Sequence, residues 1–243
     1  MKRVYIYNKY NRFWHWAQAA FIIFLAVTGF EIHGSYHILG FENAIRLHNN
    51  TAFALIALIV MTVFWDLATG EWKQYIPTLD LIKGQIDYYI TGIFKNAPHP
   101  THKTMYNKFN PLQRITYFGI KVVILPVMII SGLIYYLNCC DLLSIGGVTS
   151  PGLIAGIHMI GAFFLVGFIV IHVYLTTTGY KPFSSIKAML FGWEEMSEHE
   201  AEIALDEGLK VKIEELVDGL EGYNKKEHTV DELVKAVKKQ IEK

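Results

Sequence analysis

The sequence contains few cysteines and no net charge, and both features exclude classes of function. Its 243 residues include only two cysteines, the adjacent Cys139 and Cys140. There is therefore no four-cysteine set for an iron–sulfur cluster and no Cys-x-x-Cys-His motif for covalently attached haem. The 22 Lys and Arg residues balance 22 Asp and Glu residues. No positive excess favours binding to nucleic acid.

Apolar residues make up 52% of the chain, and the mean hydropathy is +0.28, both high for a soluble domain. They are concentrated in four blocks, each long enough to cross a lipid bilayer as a helix. The predicted spans are residues 13–30, 44–68, 112–137 and 152–179, and Pro126 should bend the third span locally. The predicted fold class is thus an all-α integral membrane protein, a four-transmembrane-helix bundle. No small-residue cleavage site follows the first block, so it is expected to be retained.

The segments outside the spans are polar and have predicted structures of their own. Residues 78–94 match an amphipathic helix that lies on the membrane surface, and residues 183–191 match a shorter one. From residue 196 onward the chain is rich in Glu and Lys at helical spacing, which predicts a charged helical tail. We therefore divide the chain into a membrane domain, residues 1–195, and a tail, residues 196–243.

Lys and Arg are unevenly distributed among the segments outside the spans. Residues 1–12 and 69–111 together contain nine of them, whereas residues 31–43 and 138–151 contain none. Because the cytoplasmic loops of membrane proteins carry the positive excess, both termini and the 69–111 link are predicted on the cytoplasmic side. The amphipathic helix and the tail are then cytoplasmic too. We expect a multi-pass protein of a bacterial or archaeal cytoplasmic membrane.

Four of the ten histidines lie inside the spans, and they fall into two pairs of equal depth. His158 and His172 are 14 residues apart on the last span, so both leave one helix face, about 21 Å apart along its axis. The predicted topology puts His15 at the depth of His172, and His48 at the depth of His158. Histidine within a membrane span is costly and is treated as functional by default.

Two imidazoles at one depth suit a low-spin haem, which exchanges electrons and leaves no iron position open for oxygen. A structural zinc site needs four ligands, and each pair supplies two. We interpret the four histidines as ligands of two non-covalent b-type haems stacked across the bilayer. The other six histidines lie in links or in the tail, where a solvated side chain is the expected state.

Three basic residues lie near the proposed ligands and are candidates for binding the cofactors. Arg12 and Arg46 each precede a histidine by two or three residues and could pair with haem propionates, although ordinary snorkelling explains them equally well. Lys121 lies about 12 Å into the third span by helical rise, too deep for easy snorkelling. A contact with a propionate or a quinone is the favoured interpretation of Lys121.

Several motifs together resemble the prokaryotic di-haem cytochrome b family, the membrane subunits of respiratory formate dehydrogenases, nickel–iron hydrogenases and thiosulfate or polysulfide reductases. They are, in chain order, Arg12-Phe13-Trp14-His15-Trp16, Arg46-Leu47-His48, the run from Tyr106 to Arg114, and the pair His158 and His172. The runs 110–117 and 186–193 look closest to the thiosulfate-reductase-type branch. The similarity covers about residues 8–195.

The resemblance implies that His15 and His172 hold the haem on the cytoplasmic side, and His48 and His158 the haem on the outer side. It also implies a quinone site, for menaquinone or ubiquinone, at the start of the third span. Its residues would be Asn110, Leu112 and Gln113, with Leu112 standing where the formate dehydrogenase branch has glycine. Asn110 followed by proline is also an ordinary helix-start signal.

The predicted function is electron transfer by the membrane subunit of a respiratory oxidoreductase complex. Electrons would pass between the quinone and an extracytoplasmic iron–sulfur or multihaem partner, while a catalytic subunit carries the substrate chemistry. Two alternatives stay open. One is a haem-containing anchor or sensor, supported only by the tail. The other is a helical transporter with histidine proton relays, which needs intramembrane acids, and Glu31 and Asp66 lie only at span ends.

Overall fold

A computed structural model describes residues 1–218, with gaps at 93–94, 96, 98–99, 102, 105, 140–149 and 178–182, and also residue 234. Contacts divide the chain into two compact units. The first unit is Met1–Asn8, Leu79–Leu112 and Gly179–Lys243, and the second is Lys9–Thr78 and Gln113–Thr178. The elements in chain order are β1 (Lys2–Tyr5), α1 (Lys9–Ile32), α2 (Phe41–Thr69), a 3₁₀ turn (Glu71–Tyr75), α3 (Ile82–Asp87), a π-helical turn (Tyr88–Gly92), α4 (Pro111–Gly119), a second π-helical turn (Ile120–Ile124), α5 (Leu125–Cys139), α6 (Pro151–Thr176), α7 (Ser184–Phe191), β2 (Trp193–Met196) and α8 (Glu198–Asp218).

Four helices, which lie in the second unit except for the first two residues of the third, are long and apolar enough to span a membrane, which confirms the predicted four-helix architecture. They are α1, α2, the run from Pro111 to Cys139, and α6. Several begin before their apolar blocks, because backbone hydrogen bonds continue into polar residues that suit the membrane interface. The closest backbone packing lies within two hairpins, α1 against α2 and α5 against α6.

Large apolar side chains cover the outer surfaces of these helices. Phe64 is 73% exposed, and Leu67, Val170 and Phe164 are also more than half exposed. A continuous apolar surface of this kind is stable in contact with lipid rather than with water. The hydrocarbon core of a bilayer is therefore the natural surrounding of this unit.

The third span is interrupted near Pro126. Proline has no N–H group and cannot make the ordinary helical hydrogen bond. Immediately before it the helix widens into a π-helical turn, and the Leu125 N–H donates to the Ile120 carbonyl, five residues earlier. The irregularity predicted at Pro126 thus takes the form of a π-helical turn, which also contains Lys121. Such turns occur frequently at functional sites.

The link between α1 and α2 is organised by Glu31. Its Oε1 atom accepts the backbone N–H groups of Ile38, Leu39 and Gly40 at 2.9, 2.6 and 2.8 Å. The side chain is almost fully buried, and three donors on one oxygen compensate the cost of removing its charge from water. Glu31 therefore anchors its own link at the end of the span.

The first unit contains a two-stranded antiparallel sheet that the sequence did not indicate. β1 pairs with β2 in the register Lys2 with Met196 and Tyr5 with Trp193. The small core beside it consists of Val4, Ile6, Met196, Ala201 and Ala204. The helical prediction holds for the membrane part, and this sheet adds to it. The predicted domain boundary after residue 195 falls inside β2, and the independence of the tail stays a prediction.

Gly192 makes the close approach of α7 and β1 possible. Its φ angle is 89°, in the left-handed region that favours glycine, and its carbonyl accepts the N–H groups of Ile6 and Tyr7 at 2.9 and 3.2 Å. A Cβ atom at this position would lie 2.6 Å from the Tyr5 ring. No other residue type fits here without movement of the first strand.

The polar link before the third span is tied to this sheet by an ion pair. Lys103 Nζ lies 2.8 Å from Glu194 Oε1, and both side chains are largely buried. Burial alone would lower the pKa of Lys103, but the Glu194 carboxylate and then Tyr7 outweigh it and raise the pKa above its ordinary value. The lysine therefore stays charged, and the link is held to β2.

The predicted surface helix and tail are described in part. The surface helix is present as α3 and the following π-helical turn, over Ile82–Gly92. Position 94, its predicted end, lies outside the described residues.

The tail begins as α8, where the Ser197 Oγ atom accepts the Glu200 N–H at 3.2 Å and Glu200 Oε2 accepts the Ser197 N–H at 3.0 Å. This reciprocal arrangement is a capping box. The predicted tail after residue 218 lies outside the described residues, apart from residue 234.

Candidate functional site

The structure brings the four span histidines together in the two predicted pairs. His15 on α1 faces His172 on α6, with ring centroids 6.1 Å apart and ring planes at 47°. His48 on α2 faces His158 on α6, with centroids 6.3 Å apart and planes at 70°. We call these the 15/172 pair and the 48/158 pair. Helix α6 contributes one imidazole to each, and its 14-residue spacing separates them by about 21 Å along the axis.

The distance within each pair fits one metal ion between two imidazoles. An imidazole nitrogen binds a first-row metal ion such as zinc at about 2.0–2.1 Å, so two rings on opposite sides hold their centroids about 6.3 Å apart. Both measured separations agree with that value. Within the described part of the chain, no cluster of three or more His, Cys, Asp or Glu side chains could hold a bare metal ion. Each pair therefore suits a metal whose other ligands come from a prosthetic group, as iron does in haem.

The 48/158 pair has partners that sequence reasoning missed. Thr28 Oγ1 lies 2.9 Å from His48 Nδ1, and Ser131 Oγ lies 3.0 Å from His158 Nδ1. In both cases the hydroxyl residue lies on the preceding helix of the same hairpin, and the next residue is glycine. A Thr-Gly or Ser-Gly dipeptide inside a predicted span is the signal that could have found them.

The 15/172 pair has a different surrounding. The His15 Nδ1 atom is buried and has no hydrogen-bond partner among the described residues. Trp16 meets the His15 ring edge-on at 5.1 Å, and Phe168 stacks on the His172 ring at 5.5 Å. The contacts of this pair are therefore mainly aromatic, whereas those of the 48/158 pair include hydrogen bonds.

The two predicted arginines lie on the same helices as the histidines they precede. Arg46 is exposed, and its guanidinium donates to Asn43 Oδ1 at 3.0 Å. Arg12 is half-buried in the first turn of α1, three residues before His15. Binding of a propionate by either side chain stays a prediction.

Lys121 lies in a polar cluster within the second unit. Its Nζ atom is 3.0 Å from Asp66 Oδ2, 3.3 Å from the centroid of the Tyr75 ring and 5.4 Å from that of Trp14. Burial, followed by the charges of Asp66 and Glu71, raises the pKa of the Tyr75 phenol, so a neutral ring faces the ammonium. The sequence predicted a cofactor contact for Lys121, and the structure gives it a carboxylate and an aromatic face. Its contact with a cofactor stays a prediction.

The residues predicted to bind quinone lie where the third span begins. Asn110 is buried, and its side-chain amide donates to the Tyr89 hydroxyl at 3.1 Å. Burial raises the pKa of the Tyr89 phenol, so it keeps its proton. Leu112 and Gln113 are half-buried in the first turn of α4. The division between the two units falls within this site, because Leu112 belongs to the first unit and Gln113 to the second.

Comparison with known families decides what kind of protein this is. Residues 6–192, more than three quarters of the chain, match the family described as prokaryotic cytochrome b561. The chain belongs to this family. A protein of Escherichia coli (strain K12) named "Putative cytochrome YdhU" is 29% identical over 202 residues, which cover 79% of this chain and 75% of that protein. No solved structure matches the chain.

Family membership confirms the expected relation to prokaryotic membrane cytochromes b. The chain is a cytochrome b561-type membrane protein that carries b-type haem and transfers electrons across a prokaryotic membrane. The residues present fit such a group, because half-buried imidazoles face each other at a separation that one metal ion between them would span.

The Asp66–Lys121 contact predicts a specific pattern of stability in this cytochrome. Asp66→Asn or Lys121→Met alone should destabilise the protein by on the order of 3 kcal/mol, because each leaves the opposite charge buried and unpaired. The double variant should recover most of that loss. Thermal unfolding of the purified protein in detergent, followed by circular dichroism, gives the coupling between the two positions.

Lys73→Met is the matched control, because Lys73 is an exposed lysine in the neighbouring 3₁₀ turn. It should change stability by less than about 0.5 kcal/mol. A double variant as unstable as the sum of the two single variants would show that the pair contributes no coupling.

Proposed function

We propose that the chain is the di-haem cytochrome b subunit of a respiratory oxidoreductase complex. The observation that carries the proposal is α6, which offers one imidazole to each of two pairs at opposite ends of the span. A single helix then fixes the positions of both cofactors. Two haems at this spacing would form a continuous path for electrons through the membrane.

The side chains have distinct tasks in this proposal. His15 and His172 would hold one haem, and His48 and His158 the other. A bound haem supplies a one-electron carrier, and two histidine ligands leave no iron position open to oxygen. Arg12 and Arg46 would lie beside the propionates, and the apolar walls of the hairpins would exclude water from the rings.

The haem stoichiometry tests the ligand assignment. Wild-type protein should contain two b-type haems per chain, and His158→Ala or His172→Ala should each contain one, because each removes a ligand of a different pair. The variant with both substitutions should contain none. A pyridine haemochrome assay of purified protein, with the reduced-minus-oxidised spectrum, measures these numbers.

His199→Ala is the control, because His199 is exposed on α8 outside the spans. It should retain two haems. An unchanged haem count in both single α6 variants would refute the assignment, whereas a wild-type count of one would refute the di-haem proposal.

We infer the orientation from charge. The segments that flank the 15/172 pair carry the Lys and Arg excess, so they would face the cytoplasm, and the 48/158 pair would lie towards the outside. Both termini are cytoplasmic in this arrangement.

A cysteine-labelling experiment tests the orientation. A membrane-impermeant maleimide should label the native cysteines of intact cells, because Cys139 is exposed at the end of α5 proposed to face outward. A protein lacking Cys139 and Cys140 but carrying Glu207→Cys on α8 should be labelled only after the cells are permeabilised. The reverse pattern would place the termini outside.

The quinone site is proposed at Asn110, Leu112 and Gln113, where the third span begins. Amide groups can donate hydrogen bonds to quinone carbonyls, and a site at a span end gives protons a route to water. The buried Asn110 amide next to a protonated Tyr89 phenol supports a polar site there. Lys121 is a further candidate contact for the quinone or for a propionate.

Two substitutions separate quinone binding from simple packing at this position. Asn110→Ala removes both the amide and its bond to Tyr89, whereas Tyr89→Phe removes that bond and leaves the amide in place. If Asn110 binds quinone, Asn110→Ala should slow quinol-dependent haem reduction by about fivefold, because one hydrogen bond to the quinone contributes about 1 kcal/mol. Tyr89→Phe should slow it by much less, because the amide that binds the quinone is still present. Stopped-flow absorbance with a menaquinol analogue measures both rates, and equal rates would assign Asn110 a packing role only.

The partner proposal follows from the redox groups that the chain itself lacks. Two adjacent cysteines cannot hold an iron–sulfur cluster, so a cluster that exchanged electrons with these haems would belong to another subunit. We propose an extracytoplasmic iron–sulfur or multihaem subunit beside the 48/158 pair, together with a catalytic subunit. The thiosulfate-reductase-type branch remains the favoured one on the motifs after residue 110.

The transporter alternative finds little support. His48 and His158 contact hydroxyl groups, while Glu31 is bound to backbone N–H groups and Asp66 to Lys121. A histidine–carboxylate relay would need acids beside the imidazoles. A sensor or anchor role of the tail is compatible with haem binding and would add to electron transfer.

A further inference from the structure

The hydroxyl groups beside the 48/158 pair determine which ring nitrogen carries the proton. Thr28 Oγ1 lies 2.9 Å from the Phe24 carbonyl and 3.2 Å from the Leu25 carbonyl. Carbonyl oxygens only accept, so the single hydroxyl proton of Thr28 is directed to its own helix. Towards His48 Nδ1 the hydroxyl can only accept, and the proton of that bond belongs to the imidazole.

The same argument holds independently on the other hairpin. Ser131 Oγ lies 2.5 Å from the Val127 carbonyl and 3.3 Å from the Met128 carbonyl, so its proton is also directed to its own helix. Its contact with His158 is therefore a bond in which Nδ1–H donates. In both imidazoles the proton lies on Nδ1, and the lone pair on Nε2 is available to a metal.

A glycine follows each hydroxyl residue and leaves room for the ring. A Cβ atom on Gly132 would lie 3.2 Å from His158 Cε1, and one on Gly29 would lie 3.5 Å from His48 Cε1. The Gly132 contact is too close without a shift of the ring, and the Gly29 contact is an ordinary one. The hydroxyl thus fixes the tautomer at both sites, and at Gly132 the missing Cβ also leaves room for the His158 ring to lie against the helix.

We propose that Thr28-Gly29 and Ser131-Gly132 are matched positioning elements that hold His48 and His158 with Nε2 directed to the haem iron and lower the reduction potential of that haem. The inference rests on the proposed ligand assignment. The 15/172 pair lacks such hydroxyl bonds among the described residues, so the two haem sites are built unequally.

The effect on potential follows from the strength of the Nδ1–H bond. A metal-bound imidazole is a stronger hydrogen-bond donor when the iron is ferric, because the ring then carries more positive charge. An acceptor on Nδ1–H therefore stabilises the oxidised form, as such partners of metal-bound histidine increase ligand basicity. Removing it should raise the potential of that haem only.

The test is a potentiometric titration with electron paramagnetic resonance of the oxidised haems. Thr28→Val keeps the shape of the side chain but removes the hydroxyl acceptor, and Ser131→Ala removes it on the other hairpin. The Leu25 and Met128 backbone carbonyls, which also accept from these imidazoles, stay in place. Each substitution should raise the equilibrium constant for reduction of one haem by about threefold. This corresponds to a rise of about 28 mV in the potential of a one-electron couple. The low-spin signal of that haem should change, and the other haem should be unaffected. The haem that responds should be the one lost in His48→Ala.

Two controls separate this effect from general disturbance. Thr28→Ser retains the hydroxyl and should restore the wild-type potential. Thr62→Val removes a buried hydroxyl that bonds to the Leu58 carbonyl of its own helix, and it should change neither potential. If Thr28→Val fails to assemble, Ser131→Ala tests the equivalent bond on the other hairpin. Gly132→Ala should shift the low-spin signal of this haem more than Gly29→Ala does, because its Cβ would lie closer to the imidazole.

The outcomes also distinguish this inference from the proposed function. Two haems whose potentials and signals are unchanged in both Thr28→Val and Ser131→Ala would overturn the positioning role and leave the ligand assignment intact. A shift confined to the haem lost in His15→Ala would overturn it too. A wild-type protein without two haems would instead refute the proposed function.

Discussion

An imidazole inside a lipid bilayer has to satisfy its polar nitrogens without water, and this requirement organises the membrane unit. Each of the four span histidines faces another imidazole at about the separation that one metal ion spans. The spacing on α6 sets the distance between the two pairs, and the partner histidines come from α1 and α2. The two histidine pairs thus lie where α6 meets α1 and where α6 meets α2.

Spans and histidine pairs could be predicted because both depend on local features of the sequence. Apolar blocks determine which segments enter the membrane, and the positions of Lys and Arg predict the direction in which each crosses. Depth then follows from the helical rise, which matched His15 with His172 and His48 with His158. The structure brings both pairs together.

Contacts between distant segments could not be predicted in this way. β1 and β2 have four residues each and lie at opposite ends of the chain, so neither carries a recognisable pattern. The depth of Lys121 predicts a cofactor contact, but depth alone does not reveal that Asp66 lies beside it. Asp66 lies at the end of its span, in the last turn of α2, and its carboxylate contacts Lys121 in the π-helical turn. Which side chain lies beside a residue such as Lys121 depends on how the helices pack, and depth in the membrane does not determine it.

The unequal surroundings of the two pairs bear on the direction of electron flow. In the proposed orientation, electrons that enter from outside move towards the negative side of the membrane, which costs about 2.3 kcal/mol per charge for a full crossing at 100 mV. A lower potential at the 48/158 site would offset part of that cost, because transfer to the 15/172 site would then be downhill. Under the proposed lowering of the potential at the 48/158 site, the hydroxyl groups of Thr28 and Ser131 would contribute to inward flow and to the proposed reduction of quinone. Outward flow, as in a reductase complex, would have to overcome this difference with help from the membrane field.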